Sequence, residues 1–349
     1  MAYLMNTWYV AAWASEVEQT APFARTLLDL PVVMFRDADG VAHALLDRCP
    51  HRFAPLSMGK LCDGGRSLEC AYHGLRFDGS GACVHNPHGD GRVPASAKTR
   101  SFPLVERYSC LWIWLGDAER ADPALIPDFS CMDPEHWHVG KRYLHAKANY
   151  VLESDNILDL SHIEFLHPGT LGSDAVKQAN IDVKQTGDTV WSLRQTCNEI
   201  MPAFLYDAFG LAHGMPVDRW IDVRWDAPAC MLLHSGATPT GRPRSEGRDA
   251  MLPHLFTPET ERSTHYWFAI SFPKAMGEIG AKMAEEHIEA LKIPFTNEDL
   301  PMLEAQQRAI GDAEFWSLKP VLLAGDGPAV RARRVLDGLI AKEQEKVPA

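Results

Sequence analysis

Several things are missing from this chain, and each absence removes a class of function. No stretch reaches the roughly 20 consecutive apolar residues needed to cross a bilayer. The N-terminal "MAYLMNTWYVAAWASEVEQ" carries no basic leader, and its apolar run is broken at Asn6 and ends at Glu16 and Glu18. A cytoplasmic protein with no membrane partner is expected. Positive charge is in deficit: 34 Lys and Arg stand against 46 Asp and Glu, a net charge of -12, with the acids scattered rather than gathered in a tail, so nucleic acid is not an expected partner. There is no internal repeat and no low-complexity tract. No G-x-G-x-x-G motif follows a strand-like run, so the chain does not carry its own dinucleotide site. Without secretion signals, the eight cysteines argue against a disulfide framework.

What is present is a globular composition, 46% hydrophobic and 23% charged over 349 residues, a length that favours two domains over one. Four cysteines, Cys110, Cys131, Cys197 and Cys230, are isolated and are expected to be small buried core residues. Cys49 and Cys70 differ. Residues 49–51 read "CPH" and residues 70–73 read "CAYH", so each arm offers one thiolate and one imidazole. A structural zinc site could use the same four groups, but its common form pairs Cys with Cys and His with His. Mixed arms suit two irons bridged by sulfides, each arm giving its cysteine to one iron and its histidine to the other, the ligand set of a Rieske [2Fe-2S] centre. Pro50 stiffens the first arm, and Gly74 lets the backbone turn beside a bulky group. Short β-rich runs at 32–47, 75–85 and 110–117 with Asp-Gly and Gly-Ser turns predict a small all-β domain over residues 1–120.

The stretch "DNILDLSHIEFLHPG", residues 155–169, is the second constellation. On a helix Asp155, Asp159 and His162 would share a face. Pro168 drives the preceding residue out of the α region, so the helix should end near Leu166, freeing His167 to return toward His162. Two neutral imidazoles converging there suit Fe(II), with one carboxylate completing a two-His-one-carboxylate triad. A histidine pair that merely caps the helix is the plain alternative. Asp159 is well placed to orient an imidazole. Residues 121–349 read as a sheet covered by helices, with strands over 179–197 and 264–272 and helices over 274–292 and 329–346.

"CPHRFAPLS" followed by "CAYHGLRFD" resembles the N-terminal domain of Rieske non-haem iron oxygenases. The segment between the arms is a couple of residues longer than is usual there, with the excess around Asp63 to Arg66. "NEDLPMLEAQQR", "CVHNPHGDG" and "SGATPTG" resemble the branch containing vanillate O-demethylase oxygenases, dicamba O-demethylase and toluenesulfonate methyl-monooxygenases. The resemblance implies an α+β protein: an N-terminal all-β Rieske domain (1–120) and a helix-grip, START-like catalytic domain (121–349). It implies a cluster on Cys49, His51, Cys70 and His73, and a mononuclear Fe(II) on His162, His167 and Asp299. Glu298 is expected to point elsewhere, and Pro301 places Asp299 at or just before a helix start. Asn156 lies near the iron, and Asp159 links His162 to His73 of a neighbouring subunit, which implies a homotrimer.

The expected activity is that of the oxygenase component of a multicomponent monooxygenase. It would use O2 and electrons from a separate NADH-dependent reductase, carrying flavin and an iron–sulfur cluster, to oxidise a methyl group of an aromatic acid. O-demethylation of a vanillate-like methoxybenzoate with release of formaldehyde leads, with hydroxylation of an aryl methyl or a ring as the alternative. His254 is the candidate substrate contact. A Rieske electron carrier without a second metal is the non-enzyme reading.

Overall fold

The computed structural model describes residues 3–345, so the last expected helical residue, 346, lies outside the described residues. The chain forms two compact units, one of Met5–Ile126 with Thr257–Thr260, the other of Pro127–Phe256 and Glu261 onward.

The first unit is all β, in three small sheets. Trp8–Trp13, Cys110–Trp114 and Leu104–Arg107 form one, and Phe23–Leu27, Leu30–Arg36, Ala42–Leu46 and Ser101–Phe102 the second. Lys60–Cys62, Ser67–Glu69, Arg76–Asp78 and Cys83–His85 form the third. Its turns form for the reason the sequence suggests: an aspartate accepts from backbone amides two and four residues on. Asp37 Oδ1 takes the amides of Asp39 and Val41 at 3.0 and 2.9 Å, and Asp78 Oδ1 those of Ser80 and Ala82 at 2.9 and 3.1 Å. The extra residues between the arms form a tight turn, with Asp63, Gly64 and Gly65 all at positive φ.

The second unit is built on a seven-stranded sheet. Its strand order is Trp137–Ala146, Ser263–Pro273, Arg248–Thr260, Cys230–Pro239, Val217–Asp226, Thr189–Glu199 and Asn180–Thr186. Around it run α1 (Tyr150–Leu158), α2 (Ile163–Leu166), α3 (Ala203–Phe209), α4 (Gly277–Pro294), α5 (Leu300–Ile310) and α6 (Gly327–Gln344). The long α4 lies across strands 137–146 and 263–273, and the core between sheet and helices includes Phe268, Ile270, Ile288 and Leu291.

Three local expectations need correction. Cys110, Cys131 and Cys230 are buried as expected, but Cys197 is exposed, because it falls on the outward phase of an alternating strand. The 155–162 segment is not one helix: α1 stops at Leu158 and Asp159 is extended, with φ -112° and ψ 90°. The cause is its own side chain, which caps the next turn by accepting from the Ser161 amide and hydroxyl at 3.0 and 2.9 Å. Asp155 and Asp159 therefore face different partners, Arg333 and Arg194. Finally, the helix expected over 274–292 runs from Gly277 to Pro294 and continues through a π-helical turn over Phe295–Asp299 into α5, whose start follows expectation, with Asp299 just before it and Pro301 in its first turn.

Candidate active site

The two arms of the first unit hang from adjacent sheets. Cys49 follows strand 42–46, and its amide donates to Ala54 O at 2.9 Å; Cys70 follows strand 67–69, and its amide donates to Leu75 O at 2.8 Å. Gly74 sits at φ +72°, the conformation the second arm needs to double back. Both cysteines are buried among Val33, Leu45, Leu56, Leu68 and Phe77. His51 is exposed and His73 half-exposed, with ring centroids 4.5 Å apart. Burial pushes the Cys49 thiol up to about 11. A thiolate is stable at that depth only against positive charge, which iron provides. Buried sulfur donors opposite surface imidazoles are the donor set a Rieske cluster requires.

In the second unit, α1 and α2 carry Asn156, His162 and His167, and the π-turn carries Glu298 and Asp299. One donor atom each from His162, His167 and Asp299 lies within 4.8 Å of the others. His167 Nε2 is 3.1 Å from Asp299 Oδ2, and His162 Nε2 is 3.5 Å from Asp299 Oδ1. Each histidine uses its other nitrogen elsewhere. His162 Nδ1 donates to the Asp159 carbonyl at 2.8 Å, and His167 Nδ1 donates to Glu298 Oε2. Those bonds place a proton on each Nδ1 and leave both Nε2 atoms facing Asp299. The fit to a divalent iron with two imidazoles and a carboxylate is direct.

The electrostatics differ between the two rings. Burial lowers the His162 pKa, favouring the neutral ring that a metal needs. At His167 burial acts the same way, but Asp299 and Glu298 outweigh it and hold the pKa above the usual value. Asn156 donates from Nδ2 to Asp299 Oδ1 at 3.1 Å. Asp159 is held by Arg194, with Arg194 Nη2 3.1 Å from its Oδ1. Its hydrogen bond to the His162 ring is made by the backbone carbonyl.

An apolar cavity opens beside this cluster, walled by Ile157, Phe209, Ile221, Leu233, Leu252 and Phe295 among others, and His254 lines it. His254 is 1% exposed; burial lowers its pKa to about 3, so the ring is neutral. Its Nδ1 is 2.7 Å from Tyr266 Oη, and its Nε2 has no hydrogen-bond partner. Among the described residues Arg219 is the one arginine lining the cavity and no lysine does so; Arg219 is 3.2 Å from Glu199.

The structure thus gathers Asn156, His162, His167, Asp299 and His254 around one cavity. Cys49, His51, Cys70 and His73 gather separately in the first unit. Sequence reasoning missed Glu298, which points at His167 rather than away, because the π-turn changes the angle between successive residues. The acidic doublet "ED" was the available signal. Arg194, which holds Asp159, had none, and Tyr266, which meets His254, showed only as one of three consecutive strand aromatics, a pattern that reads as core.

Residues 7–103 match the Rieske [2Fe-2S] domain family, and residues 146–342 match the vanillate O-demethylase oxygenase C-terminal domain family. The chain is 40% identical over 346 residues to the oxygenase component of dicamba O-demethylase from Stenotrophomonas maltophilia, covering 97% of this chain and 98% of that one. It is 38% identical to the oxygenase component of chloroacetanilide N-alkylformylase from Rhizorhabdus wittichii, over 98% of this chain and 97% of the other. A crystal structure of dicamba monooxygenase bound to 3,6-dichlorosalicylic acid superposes with a TM-score of 0.91 at 38% identity, covering 99% of this chain and 100% of that one. Another, with non-heme iron and dicamba, gives 0.79 at 36% identity with the same coverage.

Proposed function

The chain belongs to the Rieske non-haem iron oxygenases, in the branch of the vanillate and dicamba O-demethylase oxygenase components, and on that footing we propose that it oxidises a methyl group of an aromatic acid, most simply by O-demethylation of a methoxybenzoate with release of formaldehyde. The observation that carries this reading is the convergence of His162 Nε2, His167 Nε2 and an Asp299 oxygen at the edge of an apolar cavity. As a member of this family it binds a Rieske [2Fe-2S] cluster and a mononuclear iron, and it takes electrons from a separate reductase. We assign Cys49, His51, Cys70 and His73 to the cluster and His162, His167 and Asp299 to the iron, with the domain boundary at residues 120 and 121. The reductase is NADH-dependent and carries flavin and an iron–sulfur cluster, and the oxygenase is a homotrimer in which Asp159 joins His162 to the next subunit's His73.

The iron supplies dioxygen activation; the chain's residues do the rest. The apolar walls take an aromatic ring and exclude water from the reacting carbon. Asn156 holds Asp299 Oδ1, keeping the carboxylate turned to the two imidazoles. The tautomer of His254 follows from its partner. If its Nδ1–H donated to Tyr266, the tyrosine's own O–H would be left buried without an acceptor, at a cost of about 1–3 kcal/mol. Tyr266 O–H therefore donates to Nδ1, the ring proton sits on Nε2, and a substrate oxygen accepts from it.

A second reading is favoured by the charge of the cavity: its one arginine is already met by Glu199, so an uncharged aryl ether or N-alkyl amide would meet no unanswered cation. The test is product mass spectrometry with a formaldehyde assay on the iron-replete protein, given a surrogate reductase, NADH and a panel of methoxybenzoates, toluenesulfonate, methylbenzoates and neutral aryl ethers. Methyl loss from a benzoate with matching formaldehyde is expected. Methyl loss only from uncharged ethers transfers the assignment to the second reading, and oxygen gained without carbon lost makes the protein a hydroxylase. An iron content of two per chain, the cluster alone, would reduce it to an electron carrier.

A further inference from the structure

His162 and His167 are held from behind in different ways. His162 Nδ1 donates to a neutral backbone carbonyl. His167 Nδ1 donates to the Glu298 carboxylate, while Nε2 of the same ring meets Asp299. Two consecutive residues of one turn thus address the two nitrogens of one imidazole.

An α-helix would not allow this. Successive side chains on an α-helix diverge by about 100°, so a pair of neighbours cannot flank a single ring lying across it. The π-turn over Phe295–Asp299, with its i→i+5 bonds, packs more residues into each turn and brings successive side chains closer in azimuth. The arrangement is also anchored from the ring's side: His167 is 1% exposed, at the end of α2, where its amide donates to Ile163 O at 3.2 Å. The ring has little freedom except rotation about its own axis, and Glu298 removes that.

We propose that Glu298 is a positioning residue for the mononuclear iron: by accepting the Nδ1 proton of His167 it fixes the ring's tautomer and orientation and so raises the affinity of the His162, His167 and Asp299 set for Fe(II). The proposal rests on the iron assignment above. A carboxylate behind a ligating imidazole strengthens its basicity as well as its orientation, and losing such a partner typically lowers metal affinity by about 10–100-fold. The Glu298 side chain is 32% exposed, so its replacement opens no deep cavity.

The experiment uses the full chain with its cluster intact, the mononuclear iron removed by a chelator, and Fe(II) returned anaerobically in a calorimeter. Glu298→Ala should bind Fe(II) about 10–100-fold more weakly than the native chain, with the cluster's optical spectrum unchanged. Glu298→Gln offers an amide oxygen to the same Nδ1–H and should recover most of the lost affinity, whereas Glu298→Met, of similar length but with no comparable acceptor, should stay as weak as the alanine variant; a group needed only for packing would be restored by both. Native affinity in Glu298→Ala, or a Glu298→Gln as weak as the alanine variant, overturns the proposal. Native protein that takes up no Fe(II) beyond its cluster overturns the iron assignment itself, which separates the two failures.

Discussion

His254 illustrates how much one side chain's chemistry depends on a neighbour with no obvious role. Its Nε2 proton exists because Tyr266 donates to Nδ1, so Tyr266→Phe should let the ring change tautomer and weaken substrate binding. KM is expected to rise about tenfold, equivalent to one hydrogen bond of about 1.4 kcal/mol, with kcat changed far less; steady-state kinetics on the preferred substrate check it. Gly325 is a second such residue. A Cβ there would lie 2.7 Å from Asp159 Oδ1, and that carboxylate cannot retreat freely because Arg194 and Ser161 hold it. Gly325→Ala should slow oxidation of the reduced cluster in a single turnover while leaving iron and sulfide contents unchanged. An unaltered rate would remove Asp159 from the electron path.

At the level of elements, the π-turn is the feature on which the iron site depends. Deleting Thr296 should restore α-helical phase, swing Asp299 away from the histidines and abolish iron retention in the second unit, leaving the cluster's absorption intact; metal analysis beside an optical spectrum decides it. In α1, Glu153 is buried, and that burial first, then Asp299 and Glu304, raises its pKa from 4.5 to about 8. Between those values the folded state holds a proton that the unfolded state has released, so this carboxyl's contribution to stability is present below about pH 4.5 and is lost as pH rises toward 8. Glu153→Gln lacks the titration. Its stability advantage over the native chain should grow with pH by up to about 1.4 kcal/mol per unit across that window, as read from denaturant melts at pH 5.5 and 7.5.

The same elements show what the sequence could and could not disclose. The Cys and His arms and the Pro168 helix stop are local rules, visible in a few adjacent residues; the two strands within 179–197 follow from β-rich residues around a Thr-Gly-Asp turn, and the strand at 264–272 from an unbroken β-rich run that is buried along nearly its whole length. The break at Asp159 depends on a side chain choosing to cap the next turn, and the π-turn on tertiary packing against His167. Neither has a periodicity to read, so Glu298 was directed the wrong way. Cys197 was misplaced for a simpler reason: a lone cysteine carries no phase, and only the strand's pairing reveals which face it is on.

For the whole molecule, the proposed electron route makes a quantitative statement about assembly. A chain with His73→Ala has an iron site but an impaired cluster, and one with Asp299→Ala has the reverse. If electrons pass between subunits of a ring, equal mixtures co-assembled from the two inactive chains should regain about a quarter of native activity, since a random head-to-tail contact pairs an intact cluster with an intact iron site one time in four. Transfer within one chain predicts none. Size-exclusion chromatography of the mixture, read beside the activity, tests the proposed trimer.

The proposed iron set comes from the short turn at Leu160–His162, the residue that ends α2 and the π-turn, whereas Ile221, Leu233, Leu252 and His254 reach the cavity from strands of the sheet. Part of the cavity wall is thus carried on elements that hold none of these metal donors. A lineage, or a laboratory library randomised at Leu233, Ser235 and Leu252, can therefore reshape that wall without altering a metal donor.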